Sequence, residues 1–180
     1  LSLHDALPIS RYEFLTNANL DDLRSFEQIE RFVSFLSNNR DLDLVYSECY
    51  ITDKKLKSYE EVGSECPTLP VAEFSKESMI KCLPGCMPVW RKSLHQKYGY
   101  FDESYRFAGD YEMWLRSVEG GSLFWKYPAI HGVYFNNPCG ISTNRKTNRE
   151  RFEEEKRIFW KYCHVFGREI ASEYEGYFSQ

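Results

Sequence analysis

The sequence predicts an α/β fold, and three observations lead to that prediction. A short alternating apolar run at residues 11–16 is typical of a strand. Apolar residues at helical spacing follow at residues 26–38. A second run, rich in apolar and aromatic residues, covers residues 42–52 and is typical of a buried strand. Strand, helix and strand in this order indicate an α/β domain, and 180 residues suffice for one domain with its own core.

The first helix has a predicted start and a predicted buried face. Ser25 is expected to cap it, with Gln28 in the position that a capping box requires. The residues of the apolar face are Phe26, Ile29, Phe32, Val33 and Leu36. Residues 53–70 contain Gly63, Pro67 and Pro70 and are expected to form a loop. A short helix is expected at residues 71–82.

The second half alternates between helices and strands. A strand at residues 87–90 is expected to lead into a helix at 91–98, which Gly99 ends. After a loop at 101–108, Asp110 opens a helix that Gly120 and Gly121 end. Strands are predicted at 123–127 and 130–135. A loop then leads to a last helix at residues 149–166, which carries apolar residues on one face.

Composition excludes several classes of function. The net charge of −4 gives no electrostatic reason to bind nucleic acid or an anionic membrane surface. The basic residues at 144–157 are interrupted by acids, which indicates a solvated helix face. No apolar run approaches the ~20 residues that span a bilayer. The six cysteines include no C-x-x-C pair, which argues against zinc. No secretory signal is visible, so free thiols in a reducing cytosol are expected. His95 is expected at the surface.

Two groups of acidic and amide side chains could carry chemistry. Asn19 and Asp21, two residues apart in an extended segment, point the same way, and Asp22 is adjacent. Their oxygens suit a hard divalent cation. Asp110, at a helix start, could present a carboxylate at the rim of a sheet. From the residues alone, turn and cap roles are favoured at both places. A core or loop role is the default for a third, polar and aromatic set: His131, Tyr134, Asn137, Ser142 and Thr143.

Four segments, taken in order, resemble the family 2 glycosyltransferases of the GT-A fold. Residues 12–24 (YEFLTNANLDDLR) resemble the family's strand and acidic metal motif, and residues 42–53 (LDLVYSECYITD) resemble the strand that follows. Residues 87–103 (MPVWRKSLHQKYGYFDE) are similar to the acceptor-side segment that ends in a Gly-x-Phe-Asp turn. Residues 108–116 (AGDYEMWLR) are similar to the helix with the acidic pair.

The resemblance implies a partial GT-A fold, which is Rossmann-like with a mixed central sheet, and whose N-terminal strands are missing. Residues 11–145 would be the C-terminal part of the GT-A domain, and residues 146–180 a helical extension. Residues 1–10 (LSLHDALPIS) resemble one reading frame of a DNA-sequencing adapter and are expected to be an artefact. The piece alone is expected to have little or no activity.

The resemblance also assigns roles to residues. Asp110 matches the second acid of the family's pair, the general base. Asn19-Leu20-Asp21 matches the D-x-D motif, so Asp21 is the expected ligand of Mn²⁺ or Mg²⁺, assisted by Asn19 and Asp22. A single displacement implies inversion at the anomeric centre. Two residues depart from the family pattern, because Asn19 and Gly109 each stand where it has an acid. The acceptor-side candidates are Trp90, Arg91, Trp114 and His131.

The implied partners are a nucleotide-sugar donor and a carbohydrate or glycoconjugate acceptor. The family setting is the cytoplasm, in the synthesis of surface polysaccharide or glycoconjugates. Two alternatives stay open. A sugar-nucleotide nucleotidyltransferase would share the metal motif but needs a basic, glycine-rich phosphate loop upstream. A domain that only binds sugar or a partner, or an inert truncated product, would also fit the changes at Asn19 and Gly109.

Overall fold

A computed structural model describes residues 10–141 and 143–179. Residues 1–9, which make up most of the adapter-like segment, and Ser142 lie outside these ranges. The strands are β1 (Phe14–Thr16), β2 (Leu23–Arg24), β3 (Leu44–Tyr46), β4 (Cys49–Thr52), β5 (Thr68–Leu69), β6 (Val89–Arg91), β7 (Phe124–Lys126) and β8 (Gly132–Phe135). The helices are α1 (Gln28–Asn38), α2 (Ser93–Tyr98), α3 (Gly109–Glu119), α4 (Asn148–Tyr162) and α5 (Arg168–Phe178).

The strands form two mixed sheets, which confirms the predicted α/β class with mixed strand directions. The first sheet has the order β1-β6-β3-β7, in which β3 and β7 are parallel and the other pairs are antiparallel. The second has the order β2-β8-β4-β5, in which β4 and β8 are parallel. Each parallel pair joins strands far apart in the chain, as crossover connections require.

The first sheet is covered on both faces. Successive strand residues point to opposite sides. Leu44 and Tyr46 accordingly pack into the larger core with α3, α4 and α5, while Val45 packs with α1. Trp90 of β6 faces the larger core, where its ring lies 5.2 Å from that of Trp114 in an edge-to-face arrangement. A sheet buried on both faces explains the near-continuous apolar run at 42–46.

The prediction of one strand at residues 42–52 is wrong, because the chain changes sheets within it. β3 pairs with β6 and β7, whereas β4 pairs with β5 and β8. Ser47 and Glu48 form the break. The Glu48 carboxylate forms an ion pair of 2.7 Å with Nζ of Lys126, which connects the segment between β3 and β4 to the end of β7.

The predicted capping box of α1 is also wrong. The helix begins at Gln28, and Ser25 instead places Oγ 2.8 Å from Nδ1 of His131. The Gln28 amide donates to the Met87 carbonyl, at 3.4 Å. Phe32 and Leu36 are buried as predicted, but Phe26 is fully exposed, at 100%, and Ile29 is 48% exposed. The buried face of α1 is therefore narrower than the apolar pattern suggests.

Two further helix predictions need correction. The expected helix at residues 71–82 is reduced to a 3-10 turn at Ser78–Lys81, and the expected loop before it contains β5. The helix predicted to be last is followed by α5. Helix α5 packs back on α4 through Phe178, whose ring stacks on that of Phe159 with centroids 4.5 Å apart. Among the described residues, no helix is long and apolar enough to cross a membrane.

Candidate active site

One cleft brings the two predicted groups of catalytic and binding residues together. Its volume is about 1300 Å³, and both the turn at residues 19–22 and Asp110 line it. The turn connects β1 to β2, and Asp110 lies in the first turn of α3. Lys55 and Arg106 add positive charge to the wall. A second cavity of about 300 Å³, beside α2, contains none of the predicted site residues; it is lined by Asp43, Ser93, Leu94, Gln96 and Lys97.

Hydrogen bonds hold the acidic turn against the end of β8 and the segment that follows it. Asp22 accepts from the Phe135 backbone N–H at 3.1 Å and from the Asn19 amide at 2.7 Å. Asp21 Oδ2 accepts from the Asn137 amide at 3.0 Å. Burial raises the pKa of Asp22 despite the hydrogen bonds from Asn19 and Phe135, and the neighbouring charge of Asp21 acts in the same direction. The turn is therefore a fixed set of oxygens that faces the cleft.

The side-chain oxygens of the turn at residues 19–22 supply only part of the ligands that a divalent cation needs. Within the described residues, no group of three or more His, Cys, Asp or Glu side chains could hold a metal. Asp22 uses both carboxylate oxygens in hydrogen bonds, whereas the bond from Asn137 uses only Oδ2 of Asp21. A hard cation at Asp21 would take the rest of its oxygen ligands from a diphosphate and water. The turn thus fits a cation that arrives with its phosphate ligand.

Asp110 combines access to solvent with a desolvated carboxyl group. The residue is exposed within the cleft, yet protein surrounds it on most sides because the surface there is concave. Desolvation raises the pKa of Asp110, and the hydrogen bonds from the backbone N–H groups of Tyr111, at 2.8 Å, and of Asp110 itself do not cancel that effect. A carboxylate with a raised pKa is a better proton acceptor than an ordinary one.

Aromatic rings form the inner wall of the cleft. Trp90 and Trp114 both line it, although they are 0% and 2% exposed. The indole N–H of Trp90 donates to Nε2 of His95 at 2.9 Å, so that Nδ1 of His95 carries the proton and donates to the Gly99 carbonyl at 3.1 Å. His95 is 3% exposed, which corrects the prediction that it lies at the surface. Burial lowers the pKa of His95.

The other two acceptor-side candidates lie outside the cleft lining. The Arg91 guanidinium binds Glu13 at 2.7 Å and donates to the carbonyls of Leu36 and Leu42, at 2.6 and 2.8 Å. These partners, with the Asn39 carbonyl at 3.4 Å, hold it at the edge of the first sheet. His131 is buried beside Ser25, and burial lowers the pKa of its ring. The structure therefore brings Trp90 and Trp114 to the cleft but not Arg91 or His131.

Helix α4 supports the helix that carries Asp110. Glu112 of α3 is 1% exposed and accepts hydrogen bonds from Arg116, Lys161 and Tyr162, at 2.7, 2.8 and 2.7 Å. Glu154 of α4 is also buried, which corrects the prediction of a wholly solvated face. The sequence does contain a signal for it, since Glu154 lies four residues before the buried Ile158, on the same helix face.

Two curated proteins share sequence similarity with the chain. A protein of Methanocaldococcus jannaschii named an uncharacterized glycosyltransferase is 26% identical over 123 residues, which are 68% of this chain and 42% of that protein. A protein of Rickettsia typhi with the same description is 27% identical over 128 residues, 66% of this chain and 38% of that protein. The chain thus spans well under half the length of these relatives. No protein-family model matches the chain.

Solved structures of S. aureus TarS share the fold. The crystal structure of its residues 1–349 superposes with a TM-score of 0.58 at 12% identity, over 90% of this chain and 46% of that one. A second TarS structure gives a TM-score of 0.56, again over 90% of this chain. The names of the two sequence relatives support a glycosyltransferase-like chain, and the TarS structures show a shared fold.

Proposed function

We propose that the chain is the C-terminal part of an inverting glycosyltransferase that moves a sugar from a nucleotide-sugar donor to an acceptor hydroxyl. The observation that carries the proposal is that Asp110 and the turn at residues 19–22 line one cleft. The two groups come from distant parts of the chain and have the chemistry of a base and of a diphosphate site. The curated relatives, both named glycosyltransferases, support the reaction class.

Asp110 is the proposed general base. Its carboxylate accepts the proton of the acceptor hydroxyl as that oxygen attacks the anomeric carbon of the donor. The bond from the anomeric carbon to the diphosphate oxygen breaks in the same step, so the configuration inverts. Desolvation, which raises the pKa of Asp110, strengthens it as a proton acceptor. The exposure of the residue within the cleft leaves room for the acceptor.

The turn at residues 19–22 is the proposed diphosphate end of the site. Asp21, with Asn19 and Asp22 beside it, would hold Mn²⁺ or Mg²⁺. When bound, such an ion neutralises charge on the leaving diphosphate. Lys55 and Arg106 line the same cleft and favour an anionic ligand there. The Asn137 hydrogen bond keeps Asp21 oriented.

Trp90 and Trp114, whose rings lie buried just behind the wall of the cleft, are the proposed packing support beneath a sugar site. Both line the cleft, and ligand sites in proteins are commonly lined by aromatic side chains with a few polar groups. The proposed setting is the cytoplasm, in the synthesis of a surface polysaccharide or glycoconjugate, on the strength of the family resemblance.

Calorimetric titration of the full-length protein with UDP, with and without Mn²⁺, tests the proposal. We expect Mn²⁺-dependent binding that Asp21→Ala weakens by at least about tenfold, because a metal ligand is lost. Asp41→Ala, which changes an exposed acid outside the cleft, should bind like the wild type. Failure to bind UDP, GDP, dTDP and CDP alike would contradict the proposal and favour a non-catalytic role.

A further inference from the structure

The loop that leads into Asp110 is held by a carboxylate from another helix. Glu154 of α4 accepts hydrogen bonds from three successive backbone N–H groups: those of Arg106 at 2.7 Å, Phe107 at 2.8 Å and Ala108 at 3.0 Å. One oxygen takes the first, and the other takes the remaining two. Three successive amides directed at one anion form a concave anion site of the kind found in turns.

The Glu154 carboxylate takes the place of a side-chain helix cap, which Ala108 cannot provide. Helix α3 begins at Gly109 after Ala108, whose side chain cannot cap it. Without an acceptor, the amides at 106–108 would have to find water or shift. Glu154 is only 8% exposed, so its hydrogen bonds form where water competes little. Hydrogen bonds to an ionised carboxylate are among the stronger ones in proteins.

We propose that Glu154 is a positioning residue for Asp110, and this inference rests on the proposed function. By holding the backbone at 106–108, Glu154 fixes the entry of α3, and Asp110 lies in the first turn of that helix. Small displacements of a catalytic group cost large factors in rate, about 10²-fold for 1 Å. Helix α4 thereby helps to position the proposed general base through Glu154.

Glu154→Gln in the full-length enzyme tests the role with little change in shape. The amide has one acceptor oxygen, and its NH₂ group must face at least one of the three N–H donors. We expect kcat to fall about 10- to 100-fold while the KM for the donor rises by less than about fivefold, because positioning acts on the reacting geometry and Glu154 contacts only the backbone of the cleft residue Arg106. Amide hydrogen exchange at 106–108 should accelerate at least about tenfold.

Two further variants make the test specific. Glu153→Gln makes the same chemical change at an exposed neighbour and should leave kcat and exchange unchanged. Glu154→Asp keeps the charge but moves the carboxylate oxygens away by one methylene, and it should also lower kcat. This variant replaces Glu154→Gln in the test if Glu154→Gln does not fold.

Several results would overturn the inference. One is an unchanged kcat in a folded Glu154→Gln or Glu154→Asp enzyme. Another is a loss of rate that the unfolded fraction accounts for, which would show a merely structural role. If the wild-type protein transfers no sugar, the proposed function fails separately. In that case unchanged exchange at 106–108 in Glu154→Gln would still refute the contact on which the inference depends.

Discussion

The side-chain amide of Asn137 donates a hydrogen bond of 3.0 Å to Oδ2 of Asp21, across 116 positions of sequence. It joins the turn after β1 to the loop after β8, and both residues line the cleft. The Asn137 carbonyl in turn accepts from the Thr143 hydroxyl. The orientation of the best metal-ligand candidate is therefore set by a loop that is distant in sequence and follows β8, the strand paired with β2.

Removing this hydrogen bond should weaken nucleotide binding. Asn137→Ala deletes the bond to the Asp21 carboxylate and the bond that Asn137 Oδ1 accepts from the Cys139 backbone N–H, and we expect Mn²⁺-dependent affinity for UDP to fall about five- to tenfold by calorimetry. The adjacent Asn136 bonds the exposed Asp53 at 2.8 Å, so Asn136→Ala is the matched control and should have little effect. Equal losses in the two variants would show that the loop matters only as a whole.

Stability should fall on acidification because of buried histidines. Burial lowers the pKa of His95, so below the ordinary value of about 6.5 the unfolded chain binds a proton that the folded one excludes. The stability that neutral His95 contributes is present above that value and is lost as pH falls toward the lowered pKa. The slope contributed by one such group is at most about 1.4 kcal/mol per pH unit.

Urea unfolding between pH 5 and 8 checks this pH dependence. His95→Gln should have a shallower slope than the wild type. His131, whose pKa is also lowered by burial, keeps part of the slope. A slope in His95→Gln equal to that of the wild type would contradict this account.

The carboxylate of Glu112 should contribute strongly to the packing of α3 against α4, because Lys161 and Tyr162 of α4 donate hydrogen bonds to it. Burial alone would raise the pKa of Glu112, but hydrogen bonds from Lys161, Tyr162 and Arg116 outweigh it and lower the pKa. Glu112→Gln should reduce the free energy of unfolding by about 3 kcal/mol, since it removes the buried charge that Arg116 and Lys161 pair with and leaves the buried Tyr162 hydroxyl partly unpaired. Glu153→Gln, on the exposed side of α4, should change it by less than about 0.5 kcal/mol in the same denaturant titration. Comparable losses would refute the assignment.

The rate of sugar transfer should have an acid limb that belongs to Asp110. Desolvation raises the pKa of this carboxyl above its ordinary 3.8, and the base works only when ionised. The value of kcat/KM should therefore fall as pH decreases through a pKa above 3.8. A profile that stays flat down to pH 4, under conditions where the protein remains folded, would contradict the assignment.

Sequence patterns predicted the elements whose ends have local signals. Helix α3 lies between its acidic first turn and Gly120 as expected, and α2 ends at Gly99, which has a φ of 85°. The strand break at Ser47 and Glu48 has no comparable signal, because both halves are apolar and only the pairing partners differ. Ser25 satisfies the pattern of a cap, but His131 competes for its hydroxyl. Tertiary contacts decided these cases.

The candidate site was predictable residue by residue but not as an arrangement. Asp110 and Asp21 are candidates because of the resemblance, yet nothing local in the sequence shows that they line one cleft. Arg91 belongs to an acceptor-side segment in the resemblance, but its guanidinium is bound by Glu13 and three backbone carbonyls. Glu154 stands beside Glu153 and Glu155 in the sequence, and only its position on the buried face of α4 separates it from these acids.

The transfer rate of Asp110→Asn in the full-length protein tests the central claim most directly. Asp102→Asn is the matched control, because Asp102 lines the same cleft and its carboxylate accepts from the Ser104 backbone N–H at 2.9 Å. We expect Asp110→Asn to lower kcat about 10²- to 10⁴-fold, as loss of a general base does, with UDP affinity within about twofold of the wild type. Asp102→Asn should keep most of the activity. Wild-type transfer by folded Asp110→Asn would contradict the account.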